Sequence, residues 1–224
     1  MNRFESRNRW SYGQIYQKRE CSRHGIEGSS THCICSDDIN KGPNICRLVQ
    51  AVGLYDEARI SDEAFTASSA KNERFKRTFD ARLNGPGAWV SDNLNSCDIQ
   101  WLQIDLSVLH ILHRIGTQGC KSCTQEKWVS KYVVRHSRDG NYWCFFENYG
   151  ARNKEKVFDG NFDTDSIVRN DFRPPLVARM IRIYPIVPYD ASGKYRSALR
   201  VELYGCKQMP VGKQAPPRSV SPFS

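Results

Sequence analysis

A short basic stretch carries the side chains best suited to binding chemistry. Residues 68–85, SSAKNERFKRTFDARLNG, place several cations around Phe75 and Phe79. The cations would attract anionic headgroups or sulphated glycans, and an exposed aromatic beside them can enter a bilayer. Phe75 is equally suited to packing inward beneath a solvated basic surface, and Phe79 is expected to be core. The candidate ligand residues in this stretch are Lys71, Arg74, Phe75, Lys76 and Arg77.

The chain is also rich in cysteine, with nine in 224 residues. That density indicates disulfides and an oxidising, extracellular compartment. The pair Cys120-x-x-Cys123 is therefore predicted to be structural rather than redox-active. The N-terminal set of Cys21, His24, His32, Cys33 and Cys35 fits no strong zinc spacing, so no metal is expected. The polar, basic residues 1–10 are not a secretory signal, which predicts a fragment, an incomplete gene or unconventional export.

Catalytic and cofactor motifs are not apparent. The histidines at 24, 32, 110, 113 and 136 match no nucleophile or hydrolase pattern, and no glycine loop could cradle a phosphate. The aspartates at 159, 163 and 165 lack the EF-hand pattern. A non-enzymatic protein without a cofactor is therefore predicted.

The net charge of +9 is spread along the chain. Residues 1–45 hold seven Lys/Arg against five Asp/Glu, residues 207–224 hold three Lys/Arg and no acid, and residues 46–206 hold 23 against 19. This excess favours anionic partners. No nucleic-acid recognition motif accompanies it, so nucleic acid is not an expected partner.

The pattern of apolar residues predicts an all-β chain. Residues 100–119, QWLQIDLSVLHILHRIGTQG, read as a core hairpin with its turn near Ser107. Residues 131–146 read as a second hairpin around Asp139-Gly140. Residues 173–185 form a strand ended by prolines, and residues 199–206 alternate as a half-buried strand. Residues 156–166 give a further strand and a polar loop.

Several local sequences occur together that are typical of one family. They are FTASS (65–69), ARLNGPGAW (81–89), WLQIDL (101–106), HSRDGNYW (136–143), RPPLVARMIRIYP (173–185) and LRVELYGC (199–206). In this order they resemble the discoidin domain, the coagulation factor V/VIII type C module. Within that family the chain is most similar to the retinoschisin type and to the ectodomain of the discoidin domain receptors.

The resemblance implies a discoidin-type jelly-roll β-sandwich or barrel of about eight antiparallel strands, with a cysteine-containing N-terminal extension. The predicted organisation is an irregular segment 1–45, the discoidin domain 46–206, and a disordered Pro/Ser-rich tail 207–224. The resemblance also implies that loops at one end bind the ligand, which adds Lys121 and Lys127 as second-rank candidates. It pairs Cys46 with Cys206, closing a loop that stabilises the domain by roughly 4–5 kcal/mol.

The remaining disulfides follow from the predicted hairpin. Cys97 and Cys120 lie nearly symmetrically about its turn, so Cys97–Cys120 is the first choice and Cys97–Cys123 the second. Cys144 is then a partner for Cys123. Three N-terminal cysteines, Cys21, Cys33 and Cys35, are left over, and an odd number predicts a disulfide-linked homo-oligomer.

The expected function is extracellular adhesion. The chain, secreted or at the cell surface, would bind an anionic phospholipid membrane, a glycan or a matrix protein through its loops. The alternative is a targeting appendage of a larger receptor or enzyme. Receptor-type domains carry a disulfide where this chain has Val90 and Ala198, and an aromatic where it has Lys71, which argues against collagen binding.

Overall fold

A computed structural model describes residues 46, 48–92, 99–148, 151–194 and 196–208, with the backbone alone for 148 and 151–154. The strands are β1 (Gln50–Ala51), β2 (Phe65–Ala67), β3 (Trp89–Val90), β4 (Leu102–Gln118), β5 (Lys127–Ser137), β6 (Cys144–Phe145), β7 (Glu147–Asn148), β8 (Ala151–Glu155), β9 (Phe158–Asp159), β10 (Val168–Asp190) and β11 (Ala198–Lys207). Single 3-10 turns occur at Asp62–Ala64 and Thr78–Asp80. In the part of the chain so described, no helix is long and apolar enough to cross a membrane.

The central element is one long strand where the sequence predicted a hairpin. β4 runs without a turn from Leu102 to Gln118. Ser107 has φ +64°, and the pairing with β10 is interrupted around it, from Asp105 opposite Met180 to His110 opposite Ala178. A bulge of this kind bends a strand without reversing it, so the hairpin prediction is wrong.

Its neighbour β10 is also longer than predicted. β10 spans 23 residues and includes Pro174, Pro175 and Pro185, which were expected to end a shorter strand, and also Pro188 beyond it. The register shifts fall between Asp171 and Leu176 and between Pro185 and Pro188. The prolines therefore lie at irregularities of the ladder, where their missing N–H costs no hydrogen bond.

The sheet folds over on itself to make the sandwich. Its hydrogen-bonded order is β1-β11-β4-β10-β5-β6, with β2 on β4, β3 on β11 and β9 on β5, and the strand pairs are antiparallel. The first part of β4 pairs with β2 and the second part pairs with β11. The bend at Ser107 thus turns one continuous sheet into two facing layers. The predicted all-β architecture of antiparallel strands is confirmed.

A single apolar cluster fills the space between the layers. Ile104, Ile181 and Val134 contribute from one layer, and Ile115 and Leu203 from the other, all with at most 2% of their surface exposed. Trp89 is fully buried, and Phe79 packs against the same cluster, as predicted. The hairpin of β5 and β6 around Asp139-Gly140 is present.

β11 is more deeply buried than its alternating pattern indicated. Arg200 and Glu202, expected on a solvent face, have 2% of their surface exposed. Oε1 of Glu202 accepts N–H bonds from Gly53, Leu54 and Leu203. Burial outweighs these bonds and raises the pKa of Glu202. The strand is central because β1 and β3 cover one edge and β4 the other.

The predicted Cys46–Cys206 disulfide is present and joins the two ends of the domain, 160 residues apart in sequence. Lys207, assigned to the tail from sequence, is the last residue of β11, and the Gln208 N–H donates to Leu109 O. The predictions for 1–45 and 209–224 lie outside the described residues.

Candidate ligand-binding site

A basic cleft lies where three loops meet at one end of the sandwich. The loops are residues 70–77, residues 119–127 between β4 and β5, and residues 190–197 between β10 and β11. The cleft encloses about 110 Å³ and is lined by Lys71, Lys76, Val90, Cys123, Thr124, Gln125, Lys127, Ser192, Lys194 and Arg196. The structure therefore brings three predicted ligand residues, Lys71, Lys76 and Lys127, into one space.

The loop 70–77 is tied to the strand beside it at two points. The Lys71 N–H donates to Val90 O at 2.9 Å, and the Ala88 N–H donates to Phe75 O at 3.0 Å. Asn72 and Phe75 have left-handed φ values of 55° and 63°. Gly87 allows the close approach, because a Cβ there would lie 2.8 Å from Phe75 O. The two lysines are held by the backbone and not by their side chains alone.

A disulfide shapes the second loop. Cys120 bonds to Cys123, and Cys144 is bonded to a partner outside the described residues. The predicted pairs Cys97–Cys120, Cys97–Cys123 and Cys123–Cys144 are therefore wrong. The physical reason is β4, because the predicted pairings depended on a turn at Ser107 that this strand does not make. Cys120 packs instead with Ala88, Val90 and Ala198 beneath the cleft.

Arg200 connects the loops behind the cleft. Its Nε–H donates to Gly119 O at 2.8 Å, its NH1 group to Gly85 O at 3.1 Å, and its NH2 group to Thr164 O at 2.9 Å. Asp165 Oδ1 lies 3.1 Å from the same guanidinium. A buried guanidinium with carbonyl partners on three segments fixes their relative positions.

The cationic side chains of the cleft outnumber their acidic partners. Lys71 and Lys76 both contact Glu73, Lys127 lies 2.5 Å from Asp190, and Arg196 lies 3.5 Å from Asp92. Lys194 has no ion-pair partner among the described residues. Five cations against three carboxylates leave a surplus of two positive charges.

The acids of the cleft are held ionised. Hydrogen bonds from Lys71 and Lys76 lower the pKa of Glu73 to about 2. Burial tends to raise the pKa of Asp190, but the bonds from Lys127 and Ser192 together lower it below its usual value. The cleft therefore keeps its charge pattern throughout the physiological pH range and can attract a compact anion.

The other predicted ligand residues lie around the cleft rather than in it. Phe75 is half-buried with the Arg74 guanidinium 4.9 Å above its ring, so it does not protrude. Arg77 covers the Phe79 ring at 4.2 Å and bonds Asp80 at 3.1 Å. Lys121 is exposed and lies 2.8 Å from Asp165. None of these residues joins the cleft lining.

Sequence reasoning missed Lys194, Arg196 and Asp190. They stand in the segment YDASGKYR (189–196), which follows the long β10 and carries no binding motif. The only available signal was its position, because a charged loop between two core strands must emerge at one end of the sandwich.

The family model described as F5/8 type C domain matches residues 64–203. The chain belongs to this family. Coagulation factor V of Mus musculus is 37% identical over 161 residues, covering 69% of this chain and 7% of that protein. Epithelial discoidin domain-containing receptor 1 of Homo sapiens is 35% identical over 173 residues, covering 73% of this chain and 17% of the receptor.

Among solved structures, recombinant discoidin II of Dictyostelium discoideum superposes with a TM-score of 0.57 at 23% identity, covering 71% of this chain and 60% of that chain. Discoidin domains are ligand-binding modules of larger proteins. This chain spans less than a fifth of the length of either curated relative.

Proposed function

We propose that this protein is an extracellular, non-enzymatic binding module whose basic cleft takes an anionic glycan of the cell surface or matrix. The observation that carries the proposal is the convergence of five cationic side chains from three loops, with a surplus of two charges. Such a field draws anionic partners and orients them on approach.

The two aromatic residues predicted as membrane wedges are not placed to enter a bilayer. Bilayer docking needs an apolar side chain that protrudes beside the cations. Phe75 is half-buried and Phe79 packs against the core, so neither offers that wedge. A concave site with several ammonium groups suits the sulphate or carboxylate groups of a polysaccharide.

The chemistry of the cleft supports binding rather than catalysis. Its titratable groups are lysines, an arginine and the carboxylates that pair with them. Each acid is paired with a cation. The Ser192 hydroxyl donates to Asp190 Oδ1 at 2.6 Å, but that carboxylate is already paired with Lys127. The disulfides Cys46–Cys206 and Cys120–Cys123 support an oxidising, extracellular location.

A second arrangement is supported by the relatives. This chain corresponds to 7% of factor V and 17% of the receptor, so the same domain serves as a part of much larger proteins. If the domain is part of a larger receptor or enzyme, binding in its cleft would localise that protein to the same glycan. A full-length transcript separates the two arrangements, because a kinase or hydrolase region would appear in one of them.

Oligomerisation through Cys21, Cys33 or Cys35 is also proposed. These residues lie outside the described part of the chain. Electrophoresis without reductant tests the link, since a homo-oligomer runs as a multiple of 25.7 kDa that reductant collapses. Alanine at all three positions should give the monomer directly, and a persistent multimer would exclude them.

The test of the cleft is binding of the oxidised chain to a heparin-derived hexasaccharide across a salt series. From about 0.01 M to about 1 M salt the Debye length falls from about 30 Å to about 3 Å, so cleft binding should weaken steeply. The double change Lys71→Met with Lys76→Met should lower affinity about tenfold or more. Lys207→Met removes one charge at the other end of β11 and should change little.

Two outcomes would contradict the glycan proposal. One is the absence of hexasaccharide binding by the wild type at the lowest salt. The other is an equal loss in the Lys207→Met control, which would indicate non-specific charge attraction. Phosphatidylserine vesicles form a separate arm with a Phe75→Ala variant, and vesicle binding that needs Phe75 without glycan binding would reassign the ligand to membranes.

A further inference from the structure

Glu73 stands between the two lysines that the proposed function assigns to the ligand. Its Oε1 accepts from Lys71 Nζ, and its Oε2 accepts from Lys76 Nζ at 2.8 Å. The two ammonium groups are thus spaced for one compact anion that offers two oxygens. A sulphate ester offers the same pair of oxygens from one central atom, with a full negative charge.

The exposure of these groups is unequal. The side chains of Lys71 and Lys76 are 20% and 22% exposed, whereas that of Glu73 is 49% exposed. The two lysines line the cleft and are recessed, whereas Glu73 is the most exposed of the three and lies outside the lining. Its carboxylate is therefore accessible to solvent while it holds both ammonium groups.

The backbone at the two lysines is held by bonds that do not involve the Glu73 carboxylate. Lys71 is fixed through its N–H to Val90 O, and the Lys76 N–H donates to the backbone carbonyl of Glu73 at 2.9 Å. The left-handed residues Asn72 and Phe75 flank Glu73 in the turn. The backbone that carries the two lysines is therefore held independently of the Glu73 carboxylate.

We propose that Glu73 occupies the anion-binding position of the cleft in the unliganded protein, and that a sulphate group of the bound glycan displaces it. This inference rests on the proposed function. Glu73 is then an internal competitor, which weakens binding and sets a minimum charge for the ligand. A singly charged carboxylate sugar only replaces one carboxylate by another, whereas a chain with several sulphates also engages Lys194 and Arg196.

Mild acidification does not release Glu73, because its pKa of about 2 lies far below physiological pH. Substitution is the direct test. Glu73→Gln keeps the size of the side chain and removes its charge, which raises the surplus of the cleft from two to three. Glu147→Gln removes the same charge from an exposed position on β7 and serves as the matched control.

The experiment measures the dissociation constant of the full oxidised chain for the heparin-derived hexasaccharide and for a non-sulphated hyaluronan hexasaccharide. Glu73→Gln should bind the sulphated probe about three- to tenfold more tightly at low salt, and Glu147→Gln should match the wild type. Adding Lys71→Met and Lys76→Met to Glu73→Gln should abolish the gain. Thermal unfolding of each variant separates a change of binding from a change of folding.

The outcomes separate this inference from the proposed function. Wild-type binding that Glu73→Gln leaves unchanged or weakens overturns the role of Glu73 and leaves the glycan site standing. If Glu73→Gln binds the probe and the wild type does not, both the glycan site and the role of Glu73 are supported. Glu73 would then compete strongly enough to prevent binding by the wild type. If neither protein binds either probe, the glycan site itself is overturned. Equal gains for sulphated and non-sulphated probes overturn the preference for sulphate.

Discussion

At the scale of single residues, Arg200 has the most consequences for the site. It is buried in β11 and is not among the residues that line the cleft. Instead it satisfies carbonyl groups of Gly85, Gly119 and Thr164, which belong to three segments behind the cleft. Its role is to position the loops, since a carbonyl that loses a buried donor must either move or remain unsatisfied.

Arg200→Met should therefore destabilise the domain by about 3–5 kcal/mol, because it leaves three buried or part-buried carbonyl acceptors without their donor, while Asp165 keeps its contact with Lys121. Arg200→Lys keeps the charge but loses the planar guanidinium, so its stability should fall between that of the wild type and that of Arg200→Met. Urea unfolding measures both changes. A loss of less than about 1 kcal/mol for Arg200→Met would show that water or a relaxed loop replaces the guanidinium.

At the scale of elements, the bulge of β4 decides the architecture. Ser107 adopts φ +64°, and its N–H donates to Asp105 Oδ1 at 2.8 Å. Asp105 in turn lies 2.6 Å from Arg179, the residue of β10 that faces the interruption. One left-handed residue and one ion pair thus hold the bend between the two layers.

Ser107→Val should cost about 1–2 kcal/mol of unfolding free energy, because a β-branched side chain is strained in the left-handed region. Ser107→Gly should cost nothing measurable there, since glycine adopts this conformation freely. Chemical denaturation of the pair measures the difference at one backbone position. Equal stabilities for valine and glycine would mean that the bend does not depend on the conformation of Ser107.

The same element shows what a sequence can reveal about a sheet. The alternation in WLQIDL and the apolar run after Ser107 correctly predicted β structure on both sides. The pattern looks the same whether a turn or a bulge lies between two apolar runs, so the hairpin was an equally good local solution. The partner strand β10 decides between them, and that pairing lies some seventy residues away in the chain.

At the scale of the whole molecule, the cleft is assembled from loops that are far apart in sequence. Lys71, Lys76 and Lys127 were predictable because cations clustered near aromatics or fell in a family loop. Lys194 and Arg196 were not, since nothing local distinguishes them from solvated charges. Only the antiparallel packing, which places the ends of β4 and β10 beside the start of β5 and β11, brings them together.

The two disulfides whose partners are both among the described residues should therefore separate global stability from binding. Cys46–Cys206 closes a loop of 160 residues, and its loss through the pair Cys46→Ser and Cys206→Ser should cost roughly 4–5 kcal/mol. Cys120–Cys123 closes a separation of three residues, so the chain-entropy cost of Cys120→Ser with Cys123→Ser is about 2 kcal/mol.

The effects on hexasaccharide affinity should have the opposite order, with the larger loss for the short disulfide. The short disulfide lies under the cleft beside Lys127, so its loss loosens the loop that carries this lysine and should weaken hexasaccharide binding severalfold. The long disulfide ties the chain where β11 ends, away from the cleft, and its loss should leave the affinity of the folded protein unchanged. Urea unfolding and salt-matched titrations on both double variants check the pair. If the two variants shifted binding equally, stability of the whole domain, and not the shape of one loop, would control the site.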